Sequence, residues 1–256
     1  MKIRSLAAAA TIGAMILLAQ GLAAEAAEVK VIAGTGMRAV WEELAPQFER
    51  ATGHKLVVWY GISGTIKRRM AAGEAFDLFV SGRDGVDEYT KQGKIAAGTR
   101  TEIARVGMGV GVRAGAPKPD ISSVDAFKRA LLNAKSVTYE PEGVTGIHLA
   151  RVFERLGIAE QMKAKTKPQK VTGRTAQVVA GGEAELGFGL TTSLLSVRGV
   201  ELVGPFPPEL QRYNLFTAGV ATAAEQPEAA KALIKFLRSP AAVAVIKAKG
   251  MEPATS

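Results

Sequence analysis

Two short loops, AGTG at residues 33–36 and GISGT at residues 61–65, each join an apolar strand-like run to a helical pattern, and they limit the fold of this chain more than any other feature. Strands that pass through such loops directly into helices belong to βα units, and successive units require a parallel sheet. The same loops carry chemistry. The first turn of a helix has unpaired N–H donors and the positive end of a dipole, so a glycine- and hydroxyl-bearing loop at that point favours a bound anion. Two such loops facing one cleft make an anion receptor.

The alternation continues along the chain. Residues 29–33 and 55–60 read as strands, and between them Val40, Trp41, Leu44 and Phe48 recur at helical spacing, with Gly53 where a C-terminal glycine belongs. A basic helix is predicted over 66–72 and a buried strand over 76–81, followed by a third strand-to-helix loop at Ser81-Gly82-Arg83. A βαβαβ opening of this kind collects ligands outside the carboxyl ends of its strands. Further on, VGMGVGV at 106–112 reads as a glycine-interrupted strand, and Ser122 with Asp125 as a capping box for a helix through Leu132. Strands at 137–140, 186–190 and 213–222 follow, with helices at 149–156, 227–238 and 240–249. The pattern predicts two α/β lobes between which the chain crosses twice.

The first residues bear on location. Lys2 and Arg4 precede an uncharged apolar stretch from residue 6 to residue 22 and then the small residues around Ala24-Glu25-Ala26. That is the pattern of a secretory signal over residues 1–26, cleaved near Ala26, with Gly13, Gln20 and Gly21 arguing against a membrane anchor. The expected location is the periplasm. The chain has no cysteine, so disulfides, thiolate metal sites and cysteine nucleophiles are unavailable, and stability must come from core burial. The net charge of +9 suggests nucleic-acid binding only superficially, because the basic residues are dispersed and aromatics are few. A basic surface that attracts small anions is the more economical account, with no nucleic-acid partner.

The run AGTGMRAVWEELAPQFERATGHKLVVWYGISGTIKRRMAAGEAFDLFVSG resembles the N-terminal half of the periplasmic molybdate-binding proteins, the type II periplasmic binding proteins of ABC importers. The segments EPEGVTGIHLARVFERLGI and GEAELGFGL extend the resemblance over most of the chain. It implies two lobes, each a mostly parallel sheet flanked by helices, joined by a two-strand hinge. Residues 27–106 with 213–256 would form lobe 1, and residues 107–212 lobe 2. It also implies an anion held by loop hydroxyls and backbone N–H groups, and an ABC permease in the inner membrane as partner. Monomeric behaviour is expected of a receptor that closes around its ligand.

Carried over residue by residue, the resemblance places Gly36, next to Thr35, where those receptors have a serine, and keeps the serine of the second loop as Ser63, followed by Gly64 and Thr65. Leu190 stands where a tyrosine hydroxyl is usual, and Gly146 where a small residue opens a helix. The VTGRT segment puts Thr172 and Arg174 beside a site that normally has no cation, and Gly82 and Arg83 close the third loop. Losing two hydroxyl donors should cost a tetrahedral oxyanion about 1–3 kcal/mol each, whereas arginine matches a carboxylate bidentately. The expected ligand is therefore an organic di- or tricarboxylate rather than molybdate.

Two classes of function follow. One is the solute receptor of an importer, which needs no catalytic group. The other is an enzyme on the same scaffold, since exported aconitate isomerase is similar to the molybdate receptors. That chemistry requires a general base next to the carbon that loses a proton, and the sequence offers His148, Glu142 and Tyr139. Each has a plainer role, as do the others: His148 on a helix surface, Ser63 as a helix cap, Arg83 and Arg174 in solvent, Trp41 and Tyr60 in the core, Glu140 and Glu142 in a loop. Walker loops, dinucleotide fingerprints and metal-ligand spacings do not occur, so no cofactor and no metal are expected.

Overall fold

The computed structural model describes residues 26–171 and 173–254, so that residues 1–25 of the expected leader and Thr172 lie outside the described residues. Strand β1 (Glu28–Gly34) is buried without interruption from Val31 to Gly34, as a parallel strand covered on both faces should be. A 3-10 turn at Thr35–Met37 converts it directly into α1 (Arg38–Thr52). Helix α1 buries Val40, Trp41, Leu44 and Phe48 and stops at Gly53, whose φ of 79° is the left-handed conformation that only glycine adopts at little cost.

The pattern repeats in β2 (Lys55–Gly61) and α2 (Ser63–Ala71), then in β3 (Leu78–Gly82) and α3 (Arg83–Lys91), where no residue intervenes between strand and helix. The long strand β4 (Thr101–Arg113) leads to α4 (Val124–Asn133), β5 (Val137–Tyr139), α5 (Val144–Arg155), α6 (Ala159–Lys165) and β6 (Thr166–Pro168). Next come α7 (Thr175–Ala180), β7 (Leu186–Leu190), α8 (Thr191–Leu195) and β8 (Val200–Pro205). The chain ends in β9 (Tyr213–Val220), α9 (Pro227–Leu237), α10 (Pro240–Ala248) and the short β10 (Glu252–Pro253). The cap of α4 lies one residue beyond the expected one: Ser123 Oγ accepts from the N–H of Ala126 at 3.1 Å, while the Ser122 N–H turns to Asp120.

Hydrogen-bonded ladders connect the strands in the order β2-β1-β3-β9-β4-β7-β5-β6, with β8 and β10 also on β4. Strands β2, β1 and β3 are parallel, as are β6, β5 and β7, and each trio is flanked by an antiparallel neighbour. Strand β4 serves both halves. Its residues 101–107 pair with β9, and from Met108 onward it pairs with β7 and β8. The chain returns from the second half between β8 and β9, so two segments make the connection.

Gln211 fastens these two segments to each other. Its Oε1 accepts from the Met108 N–H at 3.0 Å and its Nε2 donates to the Met108 carbonyl at 2.9 Å, an imitation of a ladder pair at the point where β4 changes partners. The principal hydrophobic cluster runs through both halves, from Val29, Trp41 and Phe48 to Phe127, Phe188 and Phe206, whose ring centroids are 5.2–6.2 Å apart. A second cluster of Ile32, Ile66, Met70, Phe79, Val86 and Tyr89 lies under α2 and α3. Burial of each such side chain contributes about 1.5–3 kcal/mol, which is how a chain without disulfides holds together.

Candidate ligand-binding cleft

The carboxyl ends of β1, β2 and β3 from one half and of β5 and β7 from the other meet at one cleft of about 440 Å³. This is where parallel α/β sheets gather ligands, because the helices that follow the strands point their first turns at the same space. Gly34, Thr35 and Gly36, then Ile62 and Ser63, then Ser81 and Gly82 line one wall. Residues Gly143, Val144 and Thr145 at the start of α5, with Gly173 and Thr175 at the start of α7, line the other.

Two hydroxyls in this cleft are buried with no hydrogen-bond partner, Thr35 Oγ1 and Thr175 Oγ1. Thr175 is only 7 % exposed. A buried hydroxyl without a partner costs about 1–3 kcal/mol, so the pair marks positions that a ligand would complete. Thr192 is already engaged, donating to the Gly36 carbonyl at 3.0 Å across the cleft.

One side of the cleft is apolar, formed by Phe188, Leu190 and Phe216. A Cβ on Gly36 would stand 2.6 Å from Leu190 Cδ1 and 2.8 Å from Phe216 Cζ. The glycine at 36 and the leucine at 190 are thus two sides of one packing choice. The side chain at 190 fills the room a hydroxymethyl group at 36 would need.

The charged groups of the lining are Arg38, Glu42 and Glu140. Arg38, the first residue of α1, is exposed and lays its guanidinium 4.2 Å from the centroid of the Tyr60 ring. Burial raises the Tyr60 phenol above its ordinary pKa, against the opposing pull of Arg38. Glu140 directly follows β5, and its Oε1 accepts from the Gly173 N–H at 2.5 Å. Burial holds its carboxyl above the ordinary carboxylate pKa, only partly offset by the N–H groups of Gly173, Arg174 and Thr175.

Of the residues singled out in the sequence, Thr35, Gly36, Ser63 and Gly82 line the cleft. Gly64 and Thr65 lie in the first turn of α2, where the Thr65 hydroxyl accepts from the Ile62 N–H and donates to the Ile62 carbonyl, both at 3.0 Å. Gly146 lies in the first turn of α5, where a Cβ would stand 2.2 Å from the Glu140 carbonyl oxygen, so its bareness lets α5 approach the strand end that presents Glu140. Arg83 pairs with Glu102 and is not part of the lining, and Arg174 is an exposed residue at the N-cap of α7. His148 Nε2 lies 2.7 Å from the Leu210 carbonyl oxygen, its ring stacked on Phe206, rather than in the cleft.

The sequence pattern did not single out Arg38, Glu42 or Thr175, and it assigned Glu140 to a loop. One signal was available: Arg38 follows the first loop and Glu140 follows a parallel strand, the two places such folds reserve for ligands. The cleft is bridged at its edge. The Gly64 N–H donates to the Glu142 carbonyl at 3.0 Å, and Arg68 Nη1 donates to Glu142 Oε2 at 2.7 Å. Among the described residues, no group of three or more His, Asp or Glu side chains is placed to hold a metal ion.

A mixed α/β fold with a cleft between two halves and strand ends on both walls defines a solute-binding scaffold. The sequence profile of the bacterial extracellular solute-binding proteins matches residues 29–252, and the chain belongs to that family. It is 33% identical over 252 residues to the aconitate isomerase of a Pseudomonas species, covering 94% of this chain and 95% of that protein. It is 31% identical over 249 residues to the molybdate-binding protein ModA of Azotobacter vinelandii, covering 92% and 95%. The periplasmic molybdate-binding protein of A. vinelandii has the same fold, with a TM-score of 0.71 at 22% identity over 89% of this chain and 100% of that one. So has the sulfate-binding protein SubI of Mycobacterium tuberculosis, with a TM-score of 0.70 at 18% identity over 89% and 87%.

Proposed function

We infer that this protein is an exported receptor of an ABC importer that closes on a small organic anion, a di- or tricarboxylate in preference to molybdate. In this reading the signal over residues 1–26 directs it to the periplasm, residues 27–106 with 213–256 form one lobe, and residues 107–212 form the other. The single observation that carries the ligand class is Arg38 in a cleft lining that also contains the apolar Leu190 and Phe216, with Leu190 where an oxyanion receptor of the resembled type presents a hydroxyl. A planar guanidinium pairs with carboxylate oxygens bidentately, and the apolar surface suits a carbon skeleton. Thr35, Ser63 and Thr175 supply neutral donors, with Gly36 and Gly82 bringing backbone close. Thr172, Arg174 at the N-cap of α7, and Arg83 at the start of α3 remain proposed contacts of the closed, liganded form.

Isothermal titration against molybdate, tungstate, sulfate, citrate and cis- and trans-aconitate tests this reading. Heat with a tricarboxylate that is lost in R38A is the expected result. Submicromolar molybdate binding would overturn it.

A second reading, an isomerase acting on cis and trans unsaturated tricarboxylates, is favoured by Glu140. A carboxylate that faces an anion is costly in a receptor and useful in an enzyme that moves protons.

A further inference from the structure

We propose that Glu140 is the proton-transferring group of this cleft, shuttling one proton between the two ends of an allylic system in an unsaturated polycarboxylate, with the hydroxyls of Thr35 and Thr175 steadying the negative charge that develops. The proposal rests on the isomerase reading and identifies the substrate class and the base within it.

Placement argues for Glu140. It stands at the carboxyl end of β5 and lines the cleft, where the other protein carboxylate is that of Glu42, in the second turn of α1. The Gly173 N–H donates to its Oε1, and the N–H groups of Arg174 and Thr175 also face the carboxylate, so its orientation in the cleft is fixed. Gly146 allows the helix behind it to press against the Glu140–Pro141 backbone, so the carboxylate is presented from a rigid turn. The orphaned hydroxyl of Thr175 lies two residues beyond that same N–H group, and the Cγ2 of Thr35 is 3.9 Å from a Cβ built on Gly173. Donors without partners beside a base are the arrangement that stabilises an enolate-like charge.

The surrounding charges fit the role. Arg38 on α1 is the cation of the lining, able to hold a substrate carboxylate, with Glu42 on the same helix. Glu142, two residues along, is engaged by Arg68 of α2. Burial keeps the Glu140 carboxyl nearer to neutrality than an ordinary carboxylate, which suits a group that must both take and return a proton.

The step balances without a cofactor. Glu140 removes a proton from the methylene carbon that joins a carboxylate to the alkene; that C–H pair becomes the new C=C bond, and the old π pair moves to the far alkene carbon. There the protonated Glu140 returns the proton. One C–H bond breaks, one forms, the double bond shifts by one position, and nothing is oxidised or reduced.

The test uses the exported chain with cis-aconitate in heavy water, followed by proton NMR, with thermal shift as the measure of binding. Wild-type protein is expected to form trans-aconitate and to introduce deuterium at the methylene and vinyl carbons. E140Q is expected to keep the thermal shift while conversion falls at least about 100-fold. Conversion in E140Q within threefold of wild type overturns the assignment and leaves the isomerase reading standing. Binding by wild type with neither conversion nor exchange overturns both and leaves the receptor. Should E140Q lose binding too, the wild-type kcat profile decides: a base limb titrating above the ordinary carboxylate range supports Glu140, and a flat profile from pH 4 to 8 overturns it.

Discussion

Gly36 shows how a single missing side chain selects chemistry. With Leu190 Cδ1 at 2.6 Å from the place of its Cβ, a serine there cannot be accommodated without moving the apolar surface. We expect G36S to destabilise the protein by about 1–3 kcal/mol, the usual cost of overpacking, and G36S with L190A to recover only part of it, because the Phe216 ring stands 2.8 Å from the same Cβ, as read from urea midpoints. Glu140 makes a second prediction at this scale. Its pKa is raised in the folded protein, so the folded state binds more proton than the unfolded chain between the ordinary carboxylate range and the raised value. Stability must therefore fall as pH rises through that window. E140Q removes the titration, so it should gain stability relative to wild type at pH 8, and the difference should shrink at pH 4.

Among the elements, the end of the ladder between β4 and β9 is fastened by one side chain, Gln211. Q211A leaves the Met108 N–H without its partner, while the Met108 carbonyl keeps the N–H of Phe206 at 3.2 Å, and a loss of about 1–3 kcal/mol is expected by chemical denaturation. The pair Arg68–Glu142 behaves differently. Both side chains are more than half exposed, so R68A should cost no more than about 1 kcal/mol, and a larger fall in melting temperature would show that the bridge does more than the pair itself. Strands β1, β2 and β3 were legible in the sequence because apolar runs end in glycine and pass straight into periodic helices. Helix α7 and strands β6 and β10 are too short to carry a period, and their positions are set by the strands they join. The site was half legible for the same reason. Loops announce themselves locally, but the partner of Arg83 is Glu102, on the next strand, and the partner of Glu140 is Gly173, in a segment 33 residues further on. Such pairings exist only once the chain is folded.

For the molecule as a whole, the continuous core is what matters most. Because one hydrophobic cluster includes Val29 and Trp41 from one half and Val137 and Phe188 from the other, the halves should unfold together. Differential scanning calorimetry is expected to show a single transition, raised as one peak by a cleft ligand, with about 2.7 kcal/mol of added stability at a ligand concentration 100 times the Kd. Two separated transitions would contradict this. The strand held in common by both sheets has a further consequence. The first part of strand β4 pairs with β9, and its later part lies between β7 and β8, one on each edge, so each half covers an edge of its neighbour. If the halves were pulled apart, a row of bare N–H and C=O groups would be exposed, ready to recruit a strand from another molecule. What joins the two halves of the cleft also keeps copies of the protein from adhering to one another.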